Sequence, residues 1–139
     1  MANSSLKFDF QFSGLCIVIA SQEPEYRLAW ALNRDLGLAL HRKDDLLLSA
    51  DGGISHGFAN FEQYEEIAFR FWRFLANKDR GIVLMKEYLQ FDYFLILEAE
   101  VNADVAERLL GRIRQCRMVQ GAYLVDPSKV KNPLILMQS

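Results

Sequence analysis

The apolar residues of two segments recur at the three- and four-residue spacing that places them along one side of a helix. In the first segment they lie between Pro24, which suits a first helical position, and Gly37, which suits the residue just past a helix end. In the second they follow Asn102, a good N-cap because its side chain can accept a backbone N–H. The pattern therefore predicts helices over residues 24–36 and 103–116.

The other apolar residues form short runs, rich in branched and aromatic side chains, that are typical of β-strands. Residues 65–77 are ambiguous, because some of their apolar positions fit a helix while their density of Phe and Trp favours a strand. We expect a strand there. Since only a short link joins residues 82–85 to residues 91–100, we expect these two runs to pair as antiparallel strands. Further strands are predicted over residues 8–12, 15–20, 38–49, 55–61, 118–125 and 134–137.

This order of strands and helices indicates an α+β domain, with a mainly antiparallel β-sheet and two amphipathic helices packed on one face. The chain has 139 residues, of which 51% are apolar and 24% charged, so residues 1–139 are expected to form a single domain with an ample core. Each half of the chain has a strand, a helix and a strand, which a ferredoxin-like or ACT-like arrangement would produce.

Composition narrows the classes of partner and location. The net charge of −2 gives no general basic field, so no nucleic acid is expected. We see no export signal or membrane-spanning run, and therefore expect a cytoplasmic protein that binds no membrane. Cys16 and Cys116 are expected to be free, buried thiols. His41 and His56 lack the spacing of metal ligands and are expected in solvated loops, so we predict neither a metal nor a cofactor.

Between two apolar runs the chain carries a short charged and aromatic insert that holds Glu87, Asp92 and Tyr93. They belong to the triplets Met-Lys-Glu and, three residues on, Phe-Asp-Tyr. This insert resembles the signature of a small bacterial family, the IPExxxVDY family, although Lys86 stands where that family has proline. Residues 25–33 are similar to the start of a helix in the same family. The resemblance implies a compact bacterial domain and carries no activity with it.

Two interpretations of this insert are open. Glu87 and Asp92 could act as a general acid and base if their surroundings separated their pKa values. On a strand, however, Asp92 and Tyr93 would point to opposite faces and could not line one pocket. The structural interpretation makes Asp92 an acceptor of backbone N–H groups at a strand start, Glu87 a turn residue, and Tyr93 a core residue with a bonded hydroxyl. We favour the structural interpretation, and whether the chain is an enzyme stays open, with the balance against it.

The first predicted helix has a second, non-core side that is rich in aromatic and basic residues. Its members are Tyr26, Arg27, Trp30, Asn33 and Arg34. Trp, Tyr and Arg are enriched at the energetic centres of protein interfaces. A large aromatic ring favours burial, so we expect something to cover Trp30. Three occupants are possible: the C-terminal segment or a long loop of the same chain, a second copy or another protein, and a ligand or nucleic acid.

The second predicted helix also carries basic residues, which could bind phosphate but are expected to form an ordinary solvated face. They are Arg108, Arg112, Arg114 and Arg117. The pattern as a whole favours a non-enzymatic cytoplasmic protein-interaction or assembly domain of otherwise unknown function, acting as a homodimer or with a protein partner. The alternative is a small-ligand-binding regulatory domain of ACT-like or ferredoxin-like character.

Overall fold

The computed structural model of the chain describes residues 13–49, 53 and 55–126. These residues form an α+β domain with a six-stranded antiparallel sheet and two α-helices, which confirms the predicted fold class. A short 3₁₀ turn, Lys86–Tyr88, precedes the strand Tyr93–Glu98. In chain order the elements are β1 (Gly14–Ala20), α1 (Glu25–Leu36), β2 (His41–Ser49), β3 (Ser55–Glu65), β4 (Arg70–Ala76), β5 (Lys78–Asp79), β6 (Ile82–Val83), β7 (Tyr93–Glu98), α2 (Ala103–Arg114) and β8 (Gly121–Val125).

The six strands lie in the order β2-β3-β4-β7-β1-β8, and each neighbouring pair is antiparallel. Strands β1, β4, β7 and β8 and the two helices follow the β-α-β-β-α-β connection of ferredoxin-like domains. Strands β2 and β3 are inserted after α1, and a small hairpin, β5–β6, is inserted before β7. Gly14 opens β1 at a point where a Cβ atom would lie 1.9 Å from the Leu97 carbonyl oxygen, so only glycine allows β1 and β7 to approach there.

One face of the sheet packs against both helices. Ile17 of β1, Leu32 of α1 and Ile113 of α2 are fully buried in this layer. Burial of a side chain of this size is worth about 1.5–3 kcal/mol, so the shared apolar stripe fixes both helices on the sheet. The predicted N-cap is confirmed, because the Asn102 side chain accepts the Val105 N–H at 2.9 Å.

The opposite face of the sheet packs against residues 84–91, which we call the cover segment. Met85 is buried there, and the ring of Tyr88 lies edge-on to that of Phe94 with 6.2 Å between ring centroids. Strands β1 and β7 are therefore buried on both faces. This explains why their sequences are continuous apolar runs rather than alternating ones.

Most predicted elements are confirmed. Helix α1 starts at Glu25 rather than at residue 24, and α2 ends at Arg114 rather than at residue 116. The ambiguous residues 65–77 contain a strand, β4, as expected. Strand β2 shows a register shift between Lys43 and Leu46, within the charged part of its sequence. The strands predicted over residues 8–12 and 134–137 lie outside the described residues.

The predicted pairing of residues 82–85 with residues 91–100 is wrong. Residues 82 and 83 form β6, which pairs with β5, while β7 pairs with β1 and β4. The turn between β5 and β6 consists of Arg80 and Gly81, whose φ angles are 47° and 85°. Two consecutive positive φ angles are characteristic of the tightest two-residue hairpins. This hairpin directs the chain across the sheet, where the cover segment begins.

Candidate functional site

The outer face of α1 leaves two large aromatic side chains open to solvent. Leu28 and Leu32 face the core, whereas Trp30 is 58% exposed and Tyr26 is 64% exposed. The guanidinium carbon of Arg34 lies 4.6 Å from the centroid of the Trp30 ring, in a cation–π contact. Tyr26, Trp30 and Arg34 follow one another at four-residue intervals, so they form one row along the helix. We call this row the α1 face.

The charges beside the α1 face are paired. Arg27 Nε lies 3.5 Å from Glu23 Oε1, and Arg34 Nε donates to Asp35 Oδ1 at 2.7 Å. The hydrogen bond from Arg34 holds the pKa of Asp35 below its usual value, so this carboxylate stays ionised at neutral pH. Each of these two arginines therefore has a carboxylate partner, and their charges cancel locally.

Asn33, which the sequence assigned to the same surface, stabilises the fold instead. Its side chain is half-buried, accepts the Leu40 N–H at 2.8 Å and donates to the Leu40 carbonyl at 3.2 Å. Gly37, in the left-handed conformation with φ at 69°, ends the helix and turns the chain back towards Asn33. The two hydrogen bonds hold the chain in that path.

Asp92 connects the ends of three strands. Its Oδ2 accepts the Ser21 N–H at 2.9 Å, and its Oδ1 accepts from Lys78 Nζ at 3.0 Å. Its own backbone N–H donates to the Ile19 carbonyl at 2.9 Å. This is the arrangement that the structural interpretation expects, with an aspartate accepting a backbone N–H at the start of a strand.

Tyr93 is a core residue whose hydroxyl donates to the Glu23 carbonyl at 2.5 Å. Its ring stacks on Phe74 with centroids 5.0 Å apart, and burial raises its pKa. Asp92 and Tyr93 nevertheless line the same cleft, of about 610 Å³, beside the start of α1. The expectation of opposite faces is wrong because Asp92 precedes β7, and the alternation of a strand does not extend to it.

Glu87 lies apart from these two residues. It is exposed in the 3₁₀ turn of the cover segment and does not line the cleft that contains Asp92 and Tyr93. General acid and base groups must both reach the same substrate atoms or a shared water. The structure therefore does not bring Glu87 and Asp92 together as a catalytic pair.

Asn77 is an organising residue that the sequence analysis missed. It is fully buried, and among the described residues its side chain bonds only backbone groups of the cover segment. Its Oδ1 accepts the Met85 N–H at 2.8 Å, and its Nδ2 donates to the carbonyls of Tyr88 and Phe91 at 3.0 Å each. An asparagine directly after a buried strand was the available signal, and its three backbone partners explain how an irregular segment can be buried.

A second missed cluster joins β3 to the small hairpin. The prediction of a solvated loop is wrong for His56, which is buried with its Nδ1 3.1 Å from Asp79 Oδ2. The same oxygen accepts the Gly57 N–H at 3.1 Å and Arg80 Nε at 3.2 Å. The hydrogen bond from Arg80, with smaller contributions from His56 and Gly57, holds the pKa of Asp79 below its usual value. The cluster anchors β5 against the sheet.

The basic residues of α2 are partly structural. Arg112 donates to the Asp35 carbonyl of α1 at 2.6 Å, and Arg114 donates to the Ala122 carbonyl of β8 at 2.8 Å. These bonds connect α2 to its neighbours on both sides, so the face is not simply solvated as expected. All four arginines of this surface are nevertheless exposed: Arg108, Arg112, Arg114 and Arg117.

Across the described ranges, no group of His, Cys, Asp and Glu side chains could hold a metal ion. None of the described helices has the length and apolar character needed to cross a membrane. Cys16 and Cys116 are both free and buried, as predicted.

Comparisons with protein-family models, with curated proteins and with solved structures find no match to the chain. The resemblance to the IPExxxVDY family stays a prediction. A function can therefore be argued only from the geometry of the described residues.

Proposed function

We propose that this chain is a non-enzymatic interaction or assembly domain that pairs with a second copy of itself through the α1 face. The observation that carries the proposal is the 58% exposure of Trp30 on a well-packed helix. Burial of an aromatic ring of this size is worth a few kcal/mol, and Trp, Tyr and Arg are the residues that dominate binding at protein interfaces.

The α1 face is complementary to itself. Tyr26 and Arg34 lie four residues before and after Trp30, which is about 6 Å along the helix axis in either direction. When two copies pack α1 against α1 in opposite directions, with a two-fold axis at Trp30, Arg34 of each copy meets Tyr26 of the other. Each such meeting adds a cation–π contact to the burial of the two indoles.

Charge also favours a second copy over a strongly charged partner. Because Arg27 pairs with Glu23 and Arg34 with Asp35, two identical faces approach without net repulsion. Helix α1 has 12 residues, so the contact is small beside the roughly 1,200–2,000 Å² of a standard stable interface. We therefore expect a reversible dimer whose population depends on concentration.

Sedimentation velocity over a range of protein concentrations tests the proposal. The parent protein should shift from monomer to dimer as its concentration rises. Trp30→Ala should weaken the dimer at least about tenfold, because loss of a central interface tryptophan typically costs 2 kcal/mol or more. Its circular dichroism spectrum should match that of the parent, since the ring lies off the core.

Tyr64→Ala is the matched control. Tyr64 is 57% exposed, close to the value for Trp30, but it lies on β3 and outside the α1 face. This variant should dimerise like the parent. A parent that is monomeric at all concentrations contradicts the proposal, as does a Tyr64→Ala variant that loses the dimer to the same extent as Trp30→Ala.

A further inference from the structure

A cleft of about 370 Å³ lies between the end of α1, one side of α2 and the sheet. This volume falls within the roughly 300–1,000 Å³ of small-molecule sites. Its floor is formed by Trp72 and Leu97, which are 5% and 2% exposed. Leu36 and Leu109 contribute apolar walls from the two helices. The cleft can therefore accept an apolar body of limited size.

The rim of this cleft is basic. Arg70 at the start of β4 and Arg108 and Arg112 of α2 line it, with Glu65 as an acidic neighbour. Glu65 accepts the Trp72 indole N–H at 2.7 Å, and Arg112 donates to a backbone carbonyl of α1. The side chains of Arg70 and Arg108, in contrast, make no hydrogen bond or ion pair with any described residue. Two guanidinium groups from different elements are therefore available at one opening.

We propose that this cleft binds a small amphipathic monocarboxylate. Its apolar body would lie on Trp72 and Leu97, and its carboxylate would lie between Arg70 and Arg108. The planar guanidinium group matches a carboxylate with two parallel hydrogen bonds, which gives orientation as well as affinity. The fixed negative charge of Glu65 at the same rim favours a monoanion over a dianion such as a phosphate monoester.

The site is independent of the α1 face. The cleft residues lie at the end of α1 and on α2, β3, β4 and β7, and Trp30 does not line the cleft. Ligand binding would thus be a second property of the domain, and a variant in one surface should leave the other intact. Failure of the dimer and failure of the ligand site are separately measurable.

Trp72 provides a direct reporter of the site. The chain has two tryptophans, so Trp30→Phe leaves Trp72 as the single indole, on the floor of the cleft. Titration of this variant with octanoate should give a saturable change in fluorescence, and calorimetry with the parent protein should give the same affinity. Octanol, which has the same body without the charge, should bind at least about tenfold more weakly.

Substitutions at the rim complete the test. Arg70→Gln and Arg108→Gln should each weaken octanoate binding about tenfold, the loss expected for one charge-assisted contact. Both should melt at the parent temperature, because neither side chain bonds a described residue. Arg117→Gln, on an exposed arginine outside the cleft, is the matched control and should bind like the parent. Absence of saturable octanoate binding overturns the proposal, and so does equal binding of octanol or equal weakening by Arg117→Gln.

Discussion

The Asp92–Tyr93 cluster and the α1 face both combine aromatic rings with polar or charged groups, but their polar atoms have different partners. In the cluster, Asp92 accepts the Ser21 N–H and Tyr93 donates to the Glu23 carbonyl. On the α1 face, Arg34 bonds a neighbouring surface carboxylate and lies over Trp30, whose ring stays largely exposed. The Asp92–Tyr93 cluster therefore holds backbone segments together, whereas the α1 face leaves its aromatic rings available for binding.

This difference separates structural motifs from candidate binding surfaces. A motif that is conspicuous in a sequence has a structural role when its polar atoms bond buried or half-buried backbone, since those backbone groups would otherwise lack partners. The cover segment follows the same rule, because Asn77 supplies its hydrogen bonds. Side chains that can be truncated without leaving a backbone group unbonded are instead available for binding.

Asn77→Ala should have the largest effect on stability. It removes three hydrogen bonds and leaves backbone groups of the cover segment without partners. At about 1 kcal/mol or more for each bond, the free energy of unfolding should fall by about 3 kcal/mol. Urea denaturation measures this loss. Gln90→Ala, at an exposed position of the same segment, should change stability by less than about 0.5 kcal/mol. A loss below about 1 kcal/mol for Asn77→Ala would mean that apolar packing alone holds the segment.

Asp92→Ala should cost about 2 kcal/mol, because the Ser21 N–H loses its acceptor. Lys78→Ala removes the ion pair of Asp92 while leaving that backbone bond, and should cost less than about 1 kcal/mol because Lys78 is exposed. Urea denaturation of both variants separates the two contributions. Equal losses would show that the ion pair, rather than the backbone bond, is the stabilising contact.

Asp79→Asn should change the pH dependence of stability by a small amount. The folded pKa of Asp79 lies below its usual value, so the group contributes stability above the usual carboxyl pKa and loses it as pH falls through the folded pKa. Thermal midpoints measured from about pH 7 to about pH 2 should fall less steeply for Asp79→Asn than for the parent. Identical acid limbs in the two curves would exclude a contribution of this carboxylate.

Trp30→Ala should have the smallest effect on the stability of the dilute monomer, within about 0.5 kcal/mol, because its ring lies off the core. The same substitution should nevertheless abolish most of the dimer. Urea denaturation at a concentration where the parent is monomeric provides the measurement. A loss as large as that of Asp92→Ala would place Trp30 within the fold and remove the contrast between the two regions.

Local periodicity was sufficient for the helices and for the central strands. Pro24 and Gly37 indicated the ends of α1 to within one residue, and its apolar stripe placed Trp30 on the outer side, as observed. The continuous apolar runs of β1 and β7 indicated buried strands. Pairing was harder, because residues 82–85 are as apolar as a sheet strand. Their true path depends on the turn at Arg80 and Gly81 and on apolar contacts across the sheet.

The two amphipathic helices and the outward direction of Trp30 follow from residues a few positions apart, because helical spacing alone sets which side chains share a face. The α+β class follows from the order of such elements along the chain. Folding, in contrast, determines which polar side chains bond the backbone and which are left for binding. Asn77 and Asp92 bond backbone groups brought near by folding, and His56 meets Asp79 from another strand. The partners lie 8 residues away for Asn77 and Met85 and 71 residues away for Asp92 and Ser21, so a local pattern can suggest the role of such a side chain but cannot identify its partner. Likewise, the exposure of a ring depends on everything that could pack over it.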